Sequence, residues 1–201
     1  MANLPHNEIL QQFKAGLETL INQPITSWDS IVHKFQLRNL APLDHWIKAG
    51  DYCPELCYIL NGLIRIYYID IDGNEVNQHF YQAGELISPL SSIINDEPCQ
   101  YYIQALEPTQ IMLANTDDLY ASQANNPEWL RLEIKFLRAV FVKMARREAQ
   151  LLLGNAEQRY KWFCKHYANL EQKLPQYHIA SFLGITAVSL SRIRKKLKEQ
   201  K

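Results

Sequence analysis

The segment from Gln176 to Leu197 constrains the fold of this chain more than any other. Pro175 suits a helix start, and Gln176 to Leu183 has the pattern of one short helix. Gly184 can take the left-handed conformation that turns the chain tightly, Thr186 can cap the next helix, and Ala180 is small enough for two helices to cross closely. Ile179, Leu183, Ile185, Leu190 and Ile193 supply the apolar contacts of that crossing. The combination is a helix-turn-helix. Its second helix turns Leu190, Ile193 and Leu197 inward and, at roughly 100° per residue, leaves Val188, Ser191, Arg192 and Lys195 outward.

An outward row of this kind fits the major groove of a duplex. Arg192 can donate two parallel bonds to guanine O6 and N7, Ser191 can bond several bases, and Val188 can contact a thymine methyl, with Lys195 in the same row. Arg194 and Lys196 lie towards the flanks, where phosphates run; Ser189, Thr186, Gln176 and Tyr177, at or near helix starts, are further phosphate candidates. The other reading of the Lys and Arg run is a solvated helix C-terminus, where cations favour the dipole. For Lys198 and Lys201 that reading is the better one.

The charge distribution points the same way. The chain is neutral overall, with 21 basic and 21 acidic residues among 201, but residues 155–201 hold 10 Lys or Arg against 3 Asp or Glu, while residues 1–154 hold 11 against 18. A basic module attached to an acidic body is suited to a polyanion. At 47% hydrophobic and 21% charged, the composition excludes intrinsic disorder. No stretch approaches the roughly 18 apolar residues of a membrane helix, and Met1 to Asn7 lacks the features of a signal peptide, so the expected location is cytoplasmic, with no membrane partner. Four cysteines are too few for a disulfide scaffold. There is no Ser/His/Asp or Cys/His constellation and no P-loop, so no enzyme is expected.

Before the basic segment the pattern changes twice. Ile9, Leu10, Phe13, Leu17, Leu20 and Ile21 predict an amphipathic helix over Asn7 to Asn22, and a second short helix is expected around Ser27 to Phe35. From Leu37 to Asn115, short apolar runs are punctuated by Ala49-Gly50-Asp51, Asn61-Gly62, Asp72-Gly73 and Ala83-Gly84. Leu56 to Leu60, Leu63 to Asp70 and Glu75 to Tyr81 read as consecutive antiparallel strands joined by tight turns, within a β-sandwich or roll of about eight strands. Glu128 to Leu153 is then one long helix. Leu130, Ile134, Leu137, Phe141, Met144, Glu148 and Leu151 keep a 4-3-4-3-4-3 spacing along it, interrupted only by Glu148, while Leu132, Phe136, Val140 and Leu152 form a second apolar flank. Two flanks suggest two surfaces, one against the β body and one in a dimer seam; the alternative is a helix sunk wholly into its own core. Asn155 with Gln158 offers a capping box for the next helix, and Ala156, Tyr160, Phe163, Tyr167 and Leu170 line one face of a support helix.

These residues together resemble the Crp/Fnr family of transcription regulators. The resemblance rests on Ala49-Gly50-Asp51, Tyr58 to Arg65, Asp72-Gly73, Ala83-Gly84-Glu85, Ala105-Leu106-Glu107, Ile179 to Thr186 and Leu190 to Lys196. It implies an α+β chain: a cyclic-nucleotide-binding-like antiparallel β-roll with flanking helices over 1–127, a dimerisation helix over 128–153, and a helix-turn-helix domain over 154–201. It further implies a homodimer on near-palindromic double-stranded DNA, a small-molecule effector that reorients the DNA-binding domains, and RNA polymerase as a candidate partner.

Two departures qualify the effector and the operator. In cyclic-nucleotide binders of this fold an arginine six residues before the Ala of Ala-x-Glu neutralises the cyclic phosphate; counting back from Ala105 gives Cys99, followed by Gln100. Losing that charge-assisted bond forfeits roughly 1.5–3 kcal/mol, so an effector other than cAMP is expected. The expected effector pocket is Gly84, Glu85, Leu86, Cys99 and Gln100, with Glu85 free to bond a neutral or hydroxylated ligand or to cap its own loop. Cys53 and Cys57, with His45 or His79, match no common metal spacing, and neither metal nor cofactor is expected. In the DNA-binding domain the chain between Leu170 and Pro175 is too short for a hairpin, so the usual wings are reduced, and Ala187 and Val188 stand where the catabolite activator opens its recognition helix with Arg-Glu. Two rival functions remain: a ligand- or protein-binding module whose basic tail does not bind specific DNA, and a constitutive regulator with a degenerate effector pocket.

Overall fold

The computed structural model describes residues 6–123 and 125–200. Met1 to Pro5, most of the segment read for a signal peptide, and Lys201, assigned to solvent, lie outside the described residues, as does Ala124. The chain opens with α1 (His6–Ile21), then α2 (Trp28–Ile31) running into a 3-10 turn at Val32–Lys34. Eight strands follow: β1 (Gln36–Leu40), β2 (His45–Ile47), β3 (Glu55–Asn61), β4 (Leu63–Ile69), β5 (Glu75–Gln82), β6 (Leu86–Ile87), β7 (Tyr102–Ala105) and β8 (Thr109–Asn115), with α3 (Leu90–Asn95) between β6 and β7. Helices then run to the end: α4 (Thr116–Gln123), α5 (Pro127–Leu153), α6 (Ala156–His166), α7 (Ala168–Lys173), α8 (Gln176–Leu183) and α9 (Ala187–Glu199).

The strands form two four-stranded sheets, ordered β1-β8-β3-β6 and β2-β7-β4-β5. The three hairpin strands expected from the glycine dipeptides are β3, β4 and β5, within one residue at each end. At the β4–β5 turn the Asp70 carboxylate accepts from the Asp72 and Asn74 amides, and Gly73 takes a φ of 83°.

The chain divides into two compact units, and the division falls inside α5 rather than at its ends. One unit comprises residues 1–66 and 80–138; the other comprises residues 67–79 and 139–201. The boundaries expected at 127/128 and 153/154 follow sequence pattern, whereas packing assigns the first half of the long helix to the roll and its second half to the helices that follow. The tip of the β4–β5 hairpin, residues 67–79, likewise belongs to the second unit.

The first unit has two apolar clusters. Ile47, Cys57, Ile59, Ile64, Ile87, Ile103, Ala105 and Ile111 pack in one of them, every residue at 2% exposure or less. In the other, Phe13 and Leu17 of α1, Tyr58 and Leu60 of β3, Met112 of β8, Leu119 of α4 and Trp129 and Leu132 of α5 come together. The alternation along β3 accounts for the split, since Cys57 and Ile59 fall in the first cluster while Leu56, Tyr58 and Leu60 fall in the second. Gly16 permits the close approach of α1, because a Cβ there would meet the Tyr58 ring at 2.6 Å. The start of α5 is pinned by Glu128, whose carboxylate accepts from the amides and hydroxyls of both Thr26 and Ser27 at 2.6–3.0 Å. Those bonds, the Thr26 hydroxyl first, hold its carboxyl down at about 2.

In the second unit Phe163, Leu170, Ile179, Phe182, Leu183 and Leu190 are buried at 2% or less. The expected capping box is present, with Gln158 N donating to Asn155 Oδ1 at 2.9 Å and Asn155 N to Gln158 Oε1 at 2.9 Å. The single support helix is instead two, α6 and α7. Tyr167 leaves helical geometry at φ −129° and ψ 39°, so Tyr167 and Leu170 reach the core from a corner rather than from one continuous face. The short α7 occupies the stretch where a wing would stand, and among the described residues there is no strand after Asn115.

Candidate nucleic-acid interface and effector cavity

The turn between α8 and α9 is made as its residues require. Gly184 ends α8 in the left-handed conformation at φ 64° and ψ 41°, and Ile185 N donates to Ala180 O at 3.0 Å, the six-to-one bond of a Schellman cap. Thr186 caps α9 by accepting from Ser189 N at 3.1 Å, and its hydroxyl also lies 2.9 Å from that of Ser189. Such a cap contributes about 1 kcal/mol to helix stability. Leu190 is fully buried, with Ile193 and Leu197 half-buried, so the inward face is as the spacing predicts.

On the opposite face Val188, Ser191, Arg192 and Lys195 are all exposed, Val188 to 61%. The structure thus brings the four expected base-reading residues onto one free face. The flanking cations are differently placed. Arg194 pairs with Glu171 of α7 at 3.0 Å, and Glu171 also accepts from the Tyr160 hydroxyl at 2.8 Å. Lys196 pairs with Glu157 of α6 at 2.7 Å, beside Lys161 at the same distance, and the two ammonium groups hold the Glu157 carboxyl down at about 2. Arg192 makes no hydrogen bond or ion pair among the described residues. Gln176 and Tyr177 are exposed in the first turn of α8, Tyr177 to 59%.

The first helix of the pair is clasped by the β4–β5 hairpin, which nothing in the local sequence announces. Ser181 Oγ donates to Glu75 O at 2.7 Å and accepts from Asn77 N at 2.9 Å; Asn77 Nδ2 donates to His178 O at 3.1 Å. Arg147 of α5 donates to Asn77 O at 2.9 Å and sits 5.1 Å over the Phe182 ring. Next to these lies His79, 2% exposed, its pKa depressed to about 3 by burial and by the nearby charges of Lys143 and Arg147.

Along α5 the five residues of the expected dimer seam, Leu130, Ile134, Leu137, Phe141 and Met144, are all exposed, between 39% and 72%. Trp129 and Leu132 are instead buried, and Phe136 packs against them.

The five expected effector residues lie in the turn before β6, at the start of β6 and in the segment before β7. Gly84 takes φ 87° in the turn before β6, and the Glu85 carboxylate accepts from Gln82 N at 2.7 Å, which caps its own loop. Leu86 belongs to the cluster with α1 and α5, while Cys99 is buried in the other cluster and Gln100 is exposed. Burial raises the Cys99 thiol above its ordinary range, so a neutral thiol stands at the place of the phosphate-binding arginine. Of the five, only Leu86 lines the cavity of about 120 Å³ that lies among Leu56, Leu86, α3, α4 and the first half of α5. That cavity escapes a sequence reading because its walls come from separate segments; the signal available was the second apolar flank of α5, with Leu132 and Phe136. Cys53 donates to Glu55 Oε2 at 3.5 Å, and burial pushes its thiol up to about 12. Among the described residues no group of three His, Cys, Asp or Glu could hold a metal ion, and no helix is long and apolar enough to cross a membrane.

Comparison with known proteins matches residues 37–126 to the cyclic nucleotide-binding domain. The chain carries that domain within the fold of the Crp/Fnr regulators. The c-di-GMP responsive global regulator CLP of Xanthomonas campestris superposes with a TM-score of 0.70 at 14% identity, over 86% of this chain and 90% of that one. A CooA variant from Carboxydothermus hydrogenoformans gives 0.72 at 16% identity, over 92% and 84%. The catabolite activator protein of Thermus thermophilus gives 0.56 at 19% identity, over 92% and 87%. No curated protein matches the chain by sequence. That fold accounts for the element order, a β-roll, a long helix and a terminal helix-turn-helix.

Proposed function

We propose that the chain is a homodimeric, sequence-specific DNA-binding transcription regulator whose effector is not cAMP. The observation that carries the reading is the outward face of α9: Val188, Ser191, Arg192 and Lys195 exposed in one row on a helix anchored by buried Leu190 and capped by Thr186. Arg192 reads guanine, Ser191 and Lys195 bond neighbouring bases, and Val188 packs on a thymine methyl. Thr186, Ser189, Gln176 and Tyr177 bond phosphates at the two helix starts, and Arg194 and Lys196 reach phosphates only by leaving Glu171 and Glu157. The exposed 4-3-4-3 stripe of α5 is the seam on which a second copy lies, since an apolar row of this regularity and exposure pairs helix to helix. Cys99 in place of a cation argues against a cyclic phosphate.

Titration of duplex DNA at several salt concentrations tests the reading. Each phosphate neutralised lowers log K by about 0.9 per unit of log salt, so a dimer touching about six phosphates gives a slope near −5. Added cAMP leaves the isotherm unchanged. Binding that ignores salt, or no binding, would make the chain a ligand or protein module instead.

A further inference from the structure

β5 is the outer strand of its sheet, so alternate backbone groups along it point away from β4 and need partners from elsewhere. Within the second unit those partners come from helices. Ser181 Oγ of α8 takes Glu75 O and Asn77 N, and Arg147 of α5 takes Asn77 O. The His79 ring lies 6.5 Å from that of Phe182 on α8, and Asn77, His79 and His178 are all buried at 4% exposure or less.

Two histidines in this contact have to be neutral. Around His79 stand the cations Lys143 and Arg147 of α5, and beside Arg147 the phenols of Tyr68 on β4 and of Tyr167 at the α6–α7 corner. Glu75, four residues away on β5, is exposed. A proton on His79 would set a third positive charge beside Lys143 and Arg147 in a buried site, which low solvation and like charge both oppose. His178 is constrained by a hydrogen bond. An amide nitrogen only donates, so Asn77 Nδ2, 3.1 Å from His178 O and 3.2 Å from His178 Nδ1, requires that ring nitrogen to be unprotonated.

We propose that residues 67–79 form a proton-sensitive latch on the helix-turn-helix: when the hairpin lifts from α5 and α8, His79 takes up a proton, and the charged imidazole keeps the latch open. The closed form refuses a proton down to a pH of about 3, whereas the open form, with the imidazole in water, accepts one near 6.5. Below 6.5 the open population therefore grows about tenfold per pH unit for this one residue. α8 carries α9 through the turn at Gly184, so opening removes a support of the helix proposed to read DNA. That consequence rests on the proposed function; the opening itself does not.

Amide hydrogen exchange of the full chain tests the latch, read as protection factors between pH 5 and pH 8 so that the intrinsic pH dependence of exchange is divided out. The reporter is the Asn77 amide, whose acceptor is Ser181 Oγ; the reference is the Ile59 amide, which donates to Glu85 O inside the roll. Protection of Asn77 should be level above pH 6.5 and fall at least tenfold per pH unit below it, remaining below that of Ile59 throughout. In His79→Phe, with Ile59 protection as the check on folding, the slope should be shallower by a factor of about ten per pH unit. The His79 ring carbons of the unaltered chain, assigned through its backbone, should keep their neutral-form shifts down to pH 5. A level profile for Asn77, an unchanged slope in His79→Phe, one common protection factor for Asn77 and Ile59, or ring carbons that titrate near 6.5 in the folded chain would each overturn the proposal. Duplex affinity is measured alongside: a chain that shows the exchange pattern but ignores DNA keeps the latch and loses the proposed function, and one that binds DNA without the pattern does the reverse.

Discussion

Replacing Arg192 with alanine should collapse the preference for a selected duplex over a random one, by about 1–3 kcal/mol or roughly 5- to 150-fold, while leaving the random duplex nearly as well bound. The reason lies in how the cations of α9 are used. Arg194 and Lys196 are held by Glu171 and Glu157 of the support helices, and Lys195 lies 3.9 Å from Glu199 on its own helix. Arg192 points outward with no such partner among the described residues, so its planar fork is free for guanine O6 and N7. Arg192→Lys sharpens the point: it keeps the charge and loses the fork, so it should keep random-duplex affinity and lose discrimination almost as far as alanine does. Binding measured on both duplexes at one fixed salt concentration checks this. Equal losses on the two duplexes would assign Arg192 to a phosphate instead.

The second large effect is on stability in acid. His79 is held neutral in the folded chain, its pKa depressed to about 3 from an ordinary value of 6.5. Below 6.5 the unfolded chain takes up a proton that the folded chain refuses, so stability from this residue is complete above pH 6.5 and falls as the pH drops towards 3. At about 1.4 kcal/mol per pH unit, the loss builds to about 5 kcal/mol once the pH is below that window. The charges facing the imidazole, Lys143 and Arg147 on α5, act in the same direction as burial. Glu128 adds a later step: its carboxyl is depressed from 4.5 to about 2, so the bonds that it accepts from Thr26 and Ser27 stabilise the fold above pH 4.5 and are lost as the pH falls to 2. Denaturant midpoints measured from pH 8 to pH 3 should decline from 6.5 downwards, and His79→Phe should flatten the decline above pH 4.5. A flat profile between 6.5 and 4.5 in the unaltered chain would contradict the assignment.

The β-roll strands, the long helix and the helix-turn-helix were legible because each is set by neighbouring residues. Asn61-Gly62 and Asp72-Gly73 fix hairpins, a 4-3-4-3 row fixes a helix face, and Gly184 with Thr186 fixes the turn between α8 and α9. What escaped the sequence is what depends on distant partners. Nothing near Asn77 says that its amide meets Ser181, more than a hundred residues on. Nothing in the Lys-Lys run says that Lys196 faces Glu157 while Arg192 faces solvent. The break at Tyr167 is invisible to periodicity, because Phe163, Tyr167 and Leu170 keep helical spacing through a corner. The effector pocket was placed by resemblance alone; Glu85 caps its own loop, and of the five residues only Leu86 lines the cavity that also draws on Leu56 and Trp129.

The central claim is that two copies of α9 read a duplex side by side. Selecting bound duplexes from a randomised pool tests it most directly. The account predicts enrichment of an inverted repeat whose half-sites are centred about 10–10.5 base pairs apart, or a multiple of that, with a guanine in each half. Recovery of an unenriched pool, or of a solitary half-site, would contradict it.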